Sequence, residues 1–180
     1  LTQELIRQLQ QEYSDELFEQ LYRVYADKAI RTATAITRSS ASAADVVQET
    51  FMRVYRNLNT FDLNKPFEPW FNRILVNECN RYLEKHSRLV PTELTDERVL
   101  PSQHDRYTFD EHGDIYDMVQ RLEDQQRIPI ILKYVNDYAE KDIAELLDLN
   151  VNTVKSRLYK ARQKLQGWLR LNEGGEQDGS

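Results

Sequence analysis

The chain has 180 residues, 40% apolar and 30% charged, which is enough for one or two small domains with cores of their own. Five glycines and five prolines set against long periodic stretches argue against a β fold, and no apolar run approaches the roughly eighteen residues of a membrane span. A net charge of −6 argues against indiscriminate nucleic-acid binding, and the lone Cys79 excludes an internal disulfide.

The charge is unevenly placed. Residues 1–90 carry twelve basic and twelve acidic groups, residues 91–113 two and six, residues 114–172 ten and nine, and residues 173–180 three acids. Acidity therefore collects in the middle and the tail, and a weak DNA affinity raised by a larger partner suits this balance. A single cysteine and the lack of a signal-peptide pattern lead us to expect the cytoplasm, with no stable membrane insertion.

In chain order, Phe18, Leu21, Tyr25, Ala29, Ala33 and Ile36 recur at helical spacing until Arg38-Ser-Ser-Ala-Ser breaks the pattern. Ser42 is placed to cap a second helix with Val47, Phe51, Val54 and Leu58 on its buried side. The outer face of that helix offers Asp45, Gln48, Glu49, Met52, Arg53 and Arg56. A loop from Asn57 to Lys65 follows, containing Phe61. Pro66 and Pro69 then suit the first turn of a third helix, where a missing backbone donor costs little.

The third helix buries Phe71, Ile74, Leu75, Cys79 and Tyr82. A second column, Trp70, Arg73, Asn77 and Arg81, has Asn80 and Lys85 alongside. An indole for stacking, guanidiniums for phosphates and an amide for a base edge suit a single-stranded nucleic-acid surface. A core tryptophan beside solvated arginines would read the same way.

Periodicity lapses over residues 91–113, where Pro91, Pro101, Gly113 and scattered acids mark a flexible linker. About 25 extended residues could span roughly 80 Å, comparable with two DNA turns of about 34 Å each. His86, His104 and His112 show no metal-ligand spacing with Cys79, so neither metal nor cofactor is expected.

The second domain spans residues 114–172. Ile115, Met118, Val119 and Leu122 form an apolar face, followed by Ile128, Ile130, Ile131, Leu132 and Tyr134, with Pro129 kinking or opening that helix. A short helix then carries Ile143, Ala144, Leu146 and Leu147 on one side. Asp148-Leu-Asn breaks it, and Asn150 is placed as the N-cap of the next helix. That helix has Val151, Val154, Leu158, Ala161, Leu165 and Trp168 on one stripe and Lys155, Arg157, Lys160, Arg162 and Lys164 off it. No acid falls between Val151 and Leu171, and Asn152, Thr153 and Ser156 stand at its start. This is the pattern of a helix-turn-helix, whose second helix enters the DNA major groove by its N-terminal end. Residues 173–180 read as a disordered acidic tail. The fold class is therefore all-α: two small helical domains joined by a flexible linker.

Asn150-Val-Asn-Thr-Val-Lys-Ser-Arg-Leu-Tyr-Lys-Ala-Arg, after Asp142-Ile-Ala-Glu-Leu-Leu, resembles region 4 of the extracytoplasmic-function (ECF) sigma factors of bacterial RNA polymerase. Asp148 and Asn152 stand where glycine is common in that family, and both residue types tolerate unusual backbone angles. Asp45-Val-Val-Gln-Glu-Thr-Phe-Met-Arg-Val-Tyr resembles the region 2 motif presented to the β′ clamp helices, and Phe67-Glu-Pro-Trp-Phe-Asn-Arg-Ile-Leu-Val-Asn resembles the part that opens the −10 element.

The resemblance implies that Asp45, Gln48, Glu49, Met52 and Arg53 bind core polymerase. It implies that Asn57, Phe61, Lys65, Trp70, Arg73, Asn77 and Arg81 serve the −10 strand, with a flipped base held in the Asn57–Lys65 loop. Arg81 departs from the aspartate or asparagine common at its position. Asn152, Thr153, Lys155, Ser156, Arg157 and Lys160 would read the −35 element. Implied partners are the core enzyme (β′ clamp helices and β flap), promoter DNA and an anti-sigma factor. Two rivals from other classes are a free-standing helix-turn-helix regulator, which would use residues 1–90 for dimerisation or sensing, and an enzyme. The second lacks any Ser/His/Asp set, phosphate loop or metal cluster.

Overall fold

The computed structural model describes residues 2–89 and 113–175, which fall into two compact units. The proposed linker, apart from Gly113, lies outside the described residues, as does the end of the tail. All regular structure among the described residues is helical.

The first unit holds α1 (Thr2–Gln11), α2 (Asp15–Thr37), α3 (Ser40–Asn57), a single 3-10 turn (Leu58–Thr60) and α4 (Phe67–Leu89). The side chain of Ser14 caps α2 by accepting from the Leu17 N–H, and Asp15 and Glu16 complement the dipole of its first turn. α2 ends on Arg38, whose left-handed backbone (φ 64°) lets its N–H reach the Thr34 carbonyl at 2.8 Å. Ser39, not Ser42, caps α3: its Oγ accepts from the Ser42 N–H at 3.2 Å. The cap is set by where the backbone leaves the extended region, which a run of serines leaves ambiguous.

α4 starts at Phe67, so Pro66 stands one residue ahead of it, whereas Pro69 does sit in the first turn. The core is aromatic at its centre. Phe51 and Phe71 lie 5.2 Å apart by ring centroid, and Tyr25 packs on Phe71 at 5.0 Å. Leu21, Ala33, Ile36, Val47, Leu75 and Cys79 close around them, and each large apolar side chain so buried contributes about 1.5–3 kcal/mol. α1, which carries Ile6 and Leu9 into this core, was not resolved as a separate element by periodicity.

The second unit holds α5 (Gly113–Gln120), α6 (Asp124–Tyr134), α7 (Glu140–Leu147) and α8 (Val151–Gly175). Met118, Leu122, Ile128, Ile131, Ile143, Val154, Leu158 and Ala161 form its core. Three expectations are corrected here. Ile115 and Tyr134 are exposed, while Tyr116 is buried in their stead. Pro129 does not open α6: the helix starts at Asp124 and runs through the proline, the interior position that the kinking alternative required, and gives up the bond its N–H would have made to the preceding turn. α8 continues through Glu173 to Gly175, so the helix extends into the stretch read as tail.

Candidate nucleic-acid and partner interfaces

α3 buries Val46, Val47, Thr50, Phe51 and Val54, which turns Asp45, Gln48, Met52 and Arg56 outward. Thr50 is tolerated inside because its hydroxyl donates to the Val46 carbonyl at 2.8 Å. Met52 is 42% exposed, an apolar centre flanked by charge. Glu49 and Arg53 are half-buried and pair at 3.3 Å. The Arg53 guanidinium also pairs with Glu78 of α4, so this residue faces sideways rather than straight out. Beside the face, an open apolar groove of about 650 Å³ runs between α2 and α3, lined by Tyr13, Tyr22, Phe51, Met52 and Tyr55 among others.

On α4, Arg73, Asn77 and Arg81 are exposed on successive turns, about 6 Å apart along the axis. Trp70 begins the column but is half-buried, with its ring 5.0 Å from Phe61 and 5.4 Å from Phe67. Trp70 therefore packs partly into the core and keeps part of its surface exposed. Arg81 is held by Glu78 at 3.1 Å. Phe61, grouped with the strand-contacting residues by resemblance, is 6% exposed and serves as a floor for Trp70. Asn57 and Lys65 stand exposed at the two ends of the loop. The loop turns on Asp62, whose carboxylate accepts from the Asn64 N–H at 3.0 Å; this bond holds the carboxyl below its usual range.

In the second unit, α7 ends at Asp148 in the left-handed region (φ 55°, ψ 47°), and the Leu149 N–H closes back on the Ala144 carbonyl at 2.8 Å. Asn150 then caps α8, its Oδ1 accepting from the Asn152 N–H at 2.8 Å. The turn thus forms without either of the glycines usual in the motif. It aims the start of α8 outward and brings together Asn152, Thr153, Ser156, Arg157 and Lys160 around an open polar groove of about 590 Å³. Lys155 is exposed but lies off that groove.

The basic face is not wholly free. Lys164 pairs with Glu123 at 3.4 Å and Arg162 with Glu140 at 3.7 Å, so these cations tie α8 to α6 and α7. Gln125 and Gln126, at the start of α6, complete the groove opposite α8, and nothing in a linear reading marks them. Arg127 was also missed. It is fully buried, with Nη1 2.8 Å from Asp124 and donating to the Leu122 carbonyl at 3.3 Å, so it serves the fold.

Residues 21–89 match sigma-70 region 2, and residues 112–165 match sigma-70, region 4. Both units are therefore accounted for, in family order. The chain belongs to the sigma-70 family, as an ECF sigma factor.

It is 27% identical over 167 residues to the ECF RNA polymerase sigma factor SigW of Bacillus subtilis, covering 85% of this chain and 89% of that protein. Against the ECF RNA polymerase sigma-E factor of Haemophilus influenzae it is 26% identical over 183 residues, covering 92% and 94%. Among solved structures, the sigma factor RpoE in complex with the anti-sigma factor NepR from Bartonella quintana aligns with a TM-score of 0.66 at 26% identity, covering 85% of this chain and 96% of that one. CnrH in complex with the cytosolic domain of CnrY shares the fold, with a TM-score of 0.68 at 22% identity, covering 94% and 97%. As an ECF sigma factor the chain acts in transcription initiation, and the free-standing regulator reading is set aside. Among the described residues no helix is long and apolar enough to cross a membrane.

Proposed function

We propose that this sigma factor grips one promoter at two places while docked on core RNA polymerase. Residues 1–90 dock through the outer face of α3 (Asp45, Gln48, Glu49, Met52, with Arg53 at its margin) on the β′ clamp helices. They present α4 and the loop before it to the unpaired −10 strand, where Trp70, Arg73, Asn77 and Arg81 bind bases and phosphates. Residues 91–113 act as the tether. Residues 114–172 place the start of α8 in the −35 major groove, with the β flap as their polymerase contact. The polymerase supplies the chemistry, and an anti-sigma factor that covers these surfaces is the expected regulator, as NepR pairs with the similar RpoE.

The observation that most supports this reading is the αL–cap turn of Asp148 and Asn150, which leaves Asn152, Thr153, Ser156, Arg157 and Lys160 open on one polar groove. Reconstitution with purified core polymerase tests it. RNA synthesis from a promoter fragment should depend on this chain, and core enzyme that ignores the chain would end the proposal. Reversing Asp45 and Glu49 to lysine should weaken binding to isolated β′ clamp helices about tenfold. Unchanged affinity there would place the docking surface elsewhere.

A further inference from the structure

We propose that α1 is a brace for the loop between α3 and α4, and that Gln10 is a positioning residue for base capture in that loop. α1 lies ahead of the region 2 match, which begins at residue 21. Ile6 and Leu9 fix it to the core. Its amides then reach the loop. Gln10 Nε2 donates to the carbonyl of Leu58 at 2.7 Å and to that of Phe61 at 2.9 Å, and Gln3 Nε2 donates to the carbonyl of Lys65 at 2.6 Å. The three acceptors fall at the start, middle and end of the loop.

The loop's own bonds are all short-range. Phe61 N–H reaches Leu58 O at 3.1 Å, the Thr60 hydroxyl donates to Asn57 O at 2.7 Å, Lys65 N–H reaches Asp62 O at 3.0 Å, and the Asn64 N–H and side-chain amide both donate to the Asp62 carboxylate; none of them ties the loop to the rest of the unit. A pocket that tells one unstacked base from another must hold its donors and acceptors to within about 0.5 Å. Such a short run of turns cannot enforce that alone. Side-chain bonds to backbone carbonyls fix the path of the chain whatever side chains the loop carries, and the buried foot of α1 makes their origin rigid. Gln10 therefore acts on base selection without touching the base. This inference rests on the reading that the loop receives an unstacked base.

Holoenzyme reconstituted with the full chain is offered a short randomised single-stranded DNA pool, which bypasses duplex melting. Wild-type protein should enrich one base at the captured position. Gln10→Leu keeps the bulk and removes the donor; it should lower that enrichment about tenfold, the loss expected for two ordinary hydrogen bonds, with core-polymerase binding unchanged. A loop variant, Asn64→Ala with Lys65→Ala, should lose the same enrichment. If the loop variant loses it and Gln10→Leu keeps it, the brace is refuted. If both keep it, base capture by this loop falls first and the brace with it. Amide exchange guards against simple unfolding: in Gln10→Leu the Phe61, Asn64 and Lys65 amides should exchange faster while α2–α4 stay protected. Faster exchange throughout the unit would make α1 an ordinary core helix and overturn the proposal.

Discussion

Arg53 of α3 and Glu78 of α4 form an ion pair in which the carboxylate is the buried member, 6% exposed against 36% for the guanidinium. The same carboxylate holds Arg81 at 3.1 Å, and Glu49 reaches Arg53 at 3.3 Å. A chain of alternating charge thus runs from the proposed polymerase face to the proposed strand-binding column. Glu78 has lost most of its water, so it depends on its cations far more than they depend on it.

A double-mutant cycle checks this coupling. Arg53→Met and Glu78→Gln should each cost about 1–2 kcal/mol in urea denaturation, a figure kept low because Arg53 retains solvent. The double variant should cost less than the sum by about 1 kcal/mol. Strict additivity would show that the two side chains do not act together.

Asp148 occupies a backbone conformation that L-residues adopt at a cost of about 1–2 kcal/mol, reduced for aspartate by its local hydrogen bonding. Asp148→Gly should leave thermal stability unchanged or raise it by up to about 1 kcal/mol. Asp148→Val should lower it by more than that and weaken binding to −35 duplex, because a β-branched residue resists positive φ. A valine variant as stable as the parent would contradict the observed turn.

Two kinds of cation on α8 should separate experimentally. Arg157→Ala and Lys160→Ala, at the open groove, should each reduce the salt dependence of duplex binding by about one phosphate contact. Lys164→Ala, whose charge is held by Glu123, should leave that slope unaltered. Lys155→Glu should abolish promoter selection while the chain still associates with core polymerase, since on the proposed reading an exposed cation at the start of α8 is replaced by a charge that phosphate repels. Loss of polymerase binding by that variant would break the proposed division of labour.

Burial pushes the Cys79 thiol up to about 12, with the neighbouring Glu78 acting in the same direction. The native protein should therefore resist alkylation at neutral pH and react fully once unfolded. The raised value also sets a sign. Above the usual thiol range the unfolded chain ionises while the native one keeps its proton, so this group lowers stability progressively from about pH 8.5 towards 12. Cys79→Ala should flatten that alkaline decline; an unchanged pH profile would assign it to other groups.

Helix existence in both units was legible because apolar side chains recur at the helical period, and Val154, Leu158 and Ala161 are buried as that stripe predicts. The stripe weakens beyond them, where Leu165 and Trp168 are half-buried, since among the described residues no further element covers that end. The outward faces of α3 and α4 followed from the same rule, by subtraction. Ser39 as a cap, Pro66 outside its helix and Tyr116 in place of Ile115 were not legible, because each turns on a local backbone angle or a one-residue (about 100°) rotation of the helix.

By itself the order of residues determined two helical bodies, the helix-turn-helix with its cap at Asn150, and which helix faces stay wet; periodicity and turn chemistry are local properties carried by neighbours in the chain. Tertiary structure alone decided that Glu78 of α4 pairs with Arg53 of α3, that Lys164 and Arg162 are taken up by Glu123 and Glu140, and that Gln10 holds a loop some fifty positions away. Those pairings join groups far apart in sequence, and a charged or amide side chain reads the same on the page whether it meets water, DNA or another helix. Its partner is chosen by how the helices pack.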